Sequence, residues 1–133
     1  MKKKSKGLTA VCAGLMLMSI ACASQQPLVT LGPAKGEVVL GMKASDFKFE
    51  PNNIKAFKGD VIVFRVENTS GARHNFTVKD PQGRALQSVA LPQKEAVEIR
   101  VALTETGAYE FYCDKPFHSG FGMKGRIEVS EGQ

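Results

Sequence analysis

Three residues that can offer sulfur or nitrogen donors fall close together near the end of the chain: Cys113, His118 and Met123, spaced Cys-x4-His-x4-Met. Only two histidines occur in the whole sequence, and the other, His74, lies far upstream. Taken singly, each has a structural explanation. His74 suits a satisfied strand-end imidazole and Met123 a core filler, while Cys113 suits a buried small hydrophobe or a disulfide partner for another chain. Taken together, two imidazoles, a thiolate and a weak thioether form a donor set that suits copper. Zinc and iron gain little from a thioether, whereas copper tolerates soft sulfur in both oxidation states. One copper per chain, alternating between Cu(I) and Cu(II), is therefore the expected cofactor, with His74, Cys113, His118 and Met123 as its ligands and no catalytic residue.

Residues so far apart need a scaffold to bring them together, and the patterning describes one. Turn signals recur at short intervals at Pro51-Asn52-Asn53, Lys58-Gly59-Asp60, Thr69-Ser70-Gly71, Asp80-Pro81-Gln82-Gly83 and Thr106-Gly107, as in an all-β sandwich. Between them, Ile62, Phe64 and Val66 alternate with Val63, Arg65 and Glu67. Val97, Ile99 and Val101 alternate with Glu98 and Arg100, and Ile127 and Val129 with Arg126 and Glu128. Val38, Leu40, Phe47 and Phe49 suggest one or two opening strands. No long helical period and no internal repeat is present.

Strand phase then aims the donors. Tyr109, Phe111 and Cys113 share one face of their strand, and His74 is in phase with Phe76 and Val78, so thiol and imidazole both point inward. The segment after Cys113 contains Pro116, Gly120 and Gly122 and reads as a loop that folds back with His118 and Met123, leaving His74 to close the site.

The N-terminal stretch has a different character. Lys2, Lys3, Lys4 and Lys6 precede an apolar run over residues 8–21 that is too short to span a bilayer comfortably, which reads as a signal peptide over residues 1–22. Ser19-Ile20-Ala21-Cys22 resembles a bacterial lipoprotein box, with Cys22 as the candidate lipidation site, although Ser19 departs from the aliphatic residue usual there. Ala21-Cys22-Ala23 also fits ordinary secretory cleavage. Residues 23–36 read as a flexible linker and 37–131 as a single domain. Without the four signal lysines, the 18 basic residues fall to 14 against 13 acidic ones. The exported domain is thus nearly neutral, with no basic stripe for nucleic acid. Cys12 and Cys22 lie in the signal region, leaving Cys113 as a lone thiol in an oxidising compartment, the periplasm or cell envelope.

Asp46-Phe47-Lys48-Phe49-Glu50-Pro51, Lys58-Gly59-Asp60, Val66-Glu67-Asn68, His74-Asn75-Phe76, and the run from Gly107-Ala108-Tyr109-Glu110-Phe111-Tyr112-Cys113 through Met123-Lys124-Gly125 together resemble the cupredoxin (type 1 blue copper) family, including plastocyanin-, azurin- and auracyanin-like proteins. The resemblance implies a Greek-key β-sandwich of about eight strands with copper near one end. It makes His74 and His118 nitrogen ligands, Cys113 a short equatorial thiolate and Met123 a long axial ligand, with the Ala72 carbonyl a candidate on the opposite axial side. Asn75 would tie the two ligand loops together, one of its bonds running from its backbone N–H to the sulfur. The implied function is a one-electron carrier, with a periplasmic copper carrier that delivers metal to a copper enzyme as the alternative. A redox protein would dock near His118, Phe117 and Phe121, within a basic rim of Arg73, Lys115 and Lys124. The carrier is expected to be a monomer that meets a membrane only through a lipid on Cys22. A filled coordination sphere leaves no opening for substrate, so the chain is expected not to be an enzyme.

Overall fold

The computed structural model describes residues 26–32 and 36–132, which form ten strands in two sheets. The expected signal peptide over residues 1–22, its Cys22, and residues 23–25 and 33–35 of the expected linker lie outside the described residues. In chain order the strands are β1 (Val29–Thr30), β2 (Glu37–Ser45), β3 (Lys48–Glu50), β4 (Asn53–Phe57), β5 (Val61–Asn68), β6 (His74–Lys79), β7 (Ala85–Leu91), β8 (Ala96–Ala102), β9 (Gly107–Tyr112) and β10 (Lys124–Ser130). The larger sheet has the order β1-β4-β10-β9-β6-β7 and the smaller β3-β2-β5-β8. β6 and β7 form a hairpin in the larger sheet, the chain crosses to β8 in the smaller, and β9 returns beside β6. That interleaving is the one a Greek-key sandwich requires.

Alternation sends one side of each strand inward. In β5, Ile62, Phe64, Val66 and Asn68 are buried, and the register sets Ile62, Phe64 and Val66 opposite Val101, Ile99 and Val97 of β8. From the facing sheet come Phe76 and Val78 of β6, Tyr109 and Phe111 of β9, and Ile127 and Val129 of β10. Four phenylalanines meet at the centre. Phe76 stacks on Phe111 at 5.1 Å between centroids, and Phe49 meets both rings edge-on at 5.5 and 5.7 Å. Offset-stacked and edge-to-face contacts favour fixed ring positions. The residues two places beyond Phe76 and Phe111, on the same faces, are His74 and Cys113. At Gly125 the packing is so close that any Cβ would run into the Phe111 ring and the Asn52 carbonyl.

Two local expectations are corrected. Part of the expected linker is ordered: Val29–Thr30 pairs parallel with β4, and the Leu31 N–H donates to the Lys55 carbonyl at 2.8 Å. Val29 and Leu31 supply apolar surface to an edge whose backbone groups would otherwise lack partners, and Leu31 is buried. Phe47, expected beside Phe49 on one strand face, instead occupies the turn between β2 and β3 at φ 60° with its ring exposed. The turn takes Phe47 out of strand phase, so only Phe49 enters the core.

Candidate metal centre

His74 opens β6 and Cys113 directly follows β9, and these strands are neighbours, pairing Thr77 with Tyr112. Their inward phase therefore delivers imidazole and thiol to the same end of the sandwich. The loop to β10 folds back as its spacing suggests: the Cys113 N–H donates to the Met123 carbonyl at 3.0 Å, and the Met123 N–H to the His118 carbonyl at 2.9 Å. These two bonds pin all three loop residues to one another. Inside the loop, backbone bonds from His118 to Lys115, Phe121 to Phe117 and Gly122 to Ser119 form successive tight turns, with Gly122 at φ 107°, a backbone conformation suited to glycine.

The donors converge. His74 Nδ1 lies 3.2 Å from His118 Nδ1, which lies 3.5 Å from Cys113 Sγ, and all three atoms fall within 4.8 Å of one another. Ligands bound at roughly 2.0–2.3 Å to a single ion sit about 3 to 4 Å from each other, so this spacing fits one metal ion. Cys113 and Met123 have no solvent exposure, His74 is 2% exposed and His118 is half-buried. Burial, followed by the nearby His118 and Lys115 charges, pulls the His74 pKa below its ordinary value, with Asp46 opposing. An imidazole kept neutral in this way has a lone pair available for a metal.

Hydrogen bonds hold these groups from behind. Asn75 Oδ1 accepts the Asp114 N–H at 2.8 Å, and Asn75 Nδ2 donates to Thr77 Oγ1 and Ser88 Oγ. The Asn75 side chain thus links the His74 and Cys113 segments. On the other side of His74, Nε2 is 2.8 Å from Ser70 Oγ, which also contacts buried Asn68. The Ala72 carbonyl, expected as an axial donor, instead accepts from Asn68 Nδ2 at 2.8 Å and Ser70 Oγ at 3.1 Å. The carbonyl is thus already engaged by the Asn68 amide.

The family model for copper binding proteins of the plastocyanin/azurin family matches residues 36–130. The chain belongs to that family. Among relatives, the chloroplastic plastocyanin of Silene latifolia subsp. alba is 31% identical over 102 residues, which cover 71% of this chain and 59% of that protein. The plastocyanin of Capsella bursa-pastoris is 33% identical over 102 residues, covering 71% of this chain and 99% of that one. The chain therefore spans less than two thirds of the Silene protein but nearly all of the Capsella one. Among solved structures, auracyanin A, a "blue" copper protein of Chloroflexus aurantiacus, superposes with a TM-score of 0.61 at 18% identity over 71% of this chain and 100% of that one. At that identity the likeness concerns the all-β sandwich. Membership of the family makes copper the cofactor, in keeping with a nitrogen and sulfur donor set.

Around His118, the site carries more than its sequence motif indicates. Phe47 meets the His118 ring edge-on at 5.0 Å and Phe121 at 5.3 Å, and the side chains of Phe47, Phe117 and Phe121 are all exposed. The strand pattern concealed Phe47, while Ser70 read only as part of a turn and Asn68 only as part of the Val66-Glu67-Asn68 resemblance. The one available signal was the position of Ser70, a short polar residue four places before a candidate ligand.

Proposed function

We propose that the protein is a mononuclear type 1 copper protein that carries single electrons in the cell envelope, with His74, Cys113, His118 and Met123 as its ligands. The observation that carries this reading is the convergence of three donor atoms within 4.8 Å in a site whose sulfur ligands are buried. Bound there, copper supplies the one-electron chemistry. The protein limits how far the ligands can move. His74 and Cys113 are anchored to adjacent strands over stacked phenylalanines, and His118 and Met123 are cross-bonded through the loop backbone. A scaffold that resists ligand movement keeps reorganisation small when an electron arrives or leaves. The same burial speaks against rapid delivery of metal to another protein, and four donors around one ion leave no coordination position for substrate. The reading is therefore of a carrier rather than an enzyme.

Of the four, His118 stands nearest solvent, so a partner approaches the site most closely at its ring. Phe117 and Phe121 are 78% and 69% exposed beside it, and Phe47 adjoins them. Phe47 and Phe117 both hold positive φ, a costly conformation for bulky residues that tends to cluster at functional surfaces. This aromatic face suits weak docking of a redox protein, with Arg73, Lys115 and Lys124 at its edge. The protein works as an exported monomer, free or held to the membrane by lipid on Cys22.

Loading the purified protein with Cu(II) tests the reading. An intense thiolate-to-copper visible band and reversible one-electron voltammetry are expected; full Cu(II) occupancy with a colourless spectrum would overturn it. Mass analysis of the native N-terminus tests the lipid.

A further inference from the structure

The chain of hydrogen bonds behind His74 has its direction fixed at the far end. Asn68, fully buried, places its Nδ2 within 2.8, 3.1 and 3.0 Å of the carbonyls of Ala72, Leu91 and Pro92. Carbonyls only accept, so the amide cannot be flipped, and Asn68 Oδ1 must face Ser70. There it accepts the Ser70 N–H at 3.1 Å and lies 3.0 Å from Ser70 Oγ. The remaining neighbours of the hydroxyl are the Ala72 carbonyl at 3.1 Å, the Ala72 N–H at 3.1 Å and His74 Nε2 at 2.8 Å. The single hydroxyl proton thus has two pure acceptors on the Asn68 and Ala72 side, while the Ala72 N–H already donates to the oxygen. With its proton turned to either of those oxygens, Ser70 Oγ accepts at its short contact with the imidazole. In that arrangement Nε2 carries the proton, and Nδ1, which faces His118 Nδ1, keeps its lone pair.

We infer that Ser70, oriented by Asn68, is a positioning residue that sets the tautomer of His74 before metal arrives. Ser70 is 7% exposed and His74 is 2% exposed, so water competes little for this bond. The inference deepens the copper reading and rests on it for the role of Nδ1, but the tautomer belongs to the metal-free protein and is measured there. The partner that orients a ligating imidazole raises metal affinity by about 10–100-fold in comparable sites.

The experiment compares wild type, Ser70→Ala and Ser70→Thr. Nitrogen-15 NMR of the imidazoles is recorded on metal-free protein at mildly alkaline pH, and Cu(II) affinity is then measured by competition with a chelator. Wild type is expected to show Nε2–H at His74. Ser70→Ala should show a mixture of tautomers and an affinity about 10–100-fold lower, while Ser70→Thr, which keeps the hydroxyl, should restore both. Nδ1–H in the wild type overturns the inference even if the copper band is intact. So does a Ser70→Ala protein with unchanged tautomer and unchanged affinity. Should Ser70→Ala fail to fold, the wild-type tautomer and the affinity of Ser70→Thr decide alone: Nε2–H with near wild-type affinity supports the inference, and either departure overturns it. A wild type that has the expected tautomer but no visible band overturns the copper reading instead.

Discussion

Two imidazoles face each other across 3.2 Å, yet the regions that carry them are built in opposite ways. His74 stands on a strand, buried, over the aromatic core and with a chain of hydrogen bonds behind it. His118 comes from a loop, half-buried, and meets exposed Phe47 edge-on. One region fixes a donor and the other presents a donor to the outside. An electron carrier needs both, because a site rigid and buried on every side has no face at which a partner can come close.

The largest effect is expected where the two regions share a residue. Cys113→Ser removes the thiolate that both imidazoles approach, so the visible band should vanish completely. The metal-free fold should lose only about 1–3 kcal/mol, the usual cost of an unpaired hydroxyl in an apolar site. Optical spectra and thermal melts of the metal-free protein check both halves, and a surviving band would show that the sulfur is not a ligand.

Next is the tie between the regions. Asn75→Ala removes the acceptor for the Asp114 N–H and the donor to Thr77 and Ser88, uncoupling the His74 strand from the Cys113 loop. Copper affinity should fall about 10–100-fold, as for other groups that orient ligands. Chelator competition measures it; an unchanged affinity would mean that each region holds its ligands without the other.

The contrast also predicts a pH dependence. In metal-free protein His74 titrates below its ordinary value of 6.5, chiefly through burial and then through His118. As pH falls below about 6.5 the unfolded chain takes up a proton that the folded protein refuses, so stability is full above that value and declines below it. Urea midpoints of metal-free protein at neutral and mildly acidic pH should show the decline, and His74→Gln should flatten it. An equal slope in both proteins would place the titrating group elsewhere.

The rigid region was legible in the sequence and the presenting region largely was not. Strand alternation is a period-two signal, and it placed His74 with Phe76 and Cys113 with Phe111 because buried strands repeat a simple rule. The Cys-x4-His-x4-Met spacing announced the loop's donors. Phe47 went astray because nothing in the order Phe-Lys-Phe reveals a left-handed residue that breaks the phase. The Asn68–Ser70 relay was hidden because its partners are backbone carbonyls of residues 72, 91 and 92, which no side-chain pattern records. The strand at Val29–Thr30 was missed for a related reason, since two residues are too few to show a period.

The smallest effect separates what Phe47 does with its ring from what it costs in backbone. The ring contacts His118 and Phe121, and edge-to-face pairs are worth about 0.5–1.5 kcal/mol. Positive φ for a residue with a Cβ costs roughly 1–2 kcal/mol, and glycine escapes this. Phe47→Ala keeps the strain and loses the ring, so it should be the less stable variant. Phe47→Gly loses both, and its relief of strain should bring it back to near wild-type stability. Because Phe47 is not a ligand, the copper band should stay in place in both variants, while association with a redox partner should weaken equally if the exposed ring is what the partner meets. Chemical denaturation ranks the stabilities, and stopped-flow electron transfer measures the association. A glycine variant no more stable than the alanine variant would show that the turn is not strained, and unimpaired association in both would move the docking surface away from Phe47 towards Phe117 and Phe121.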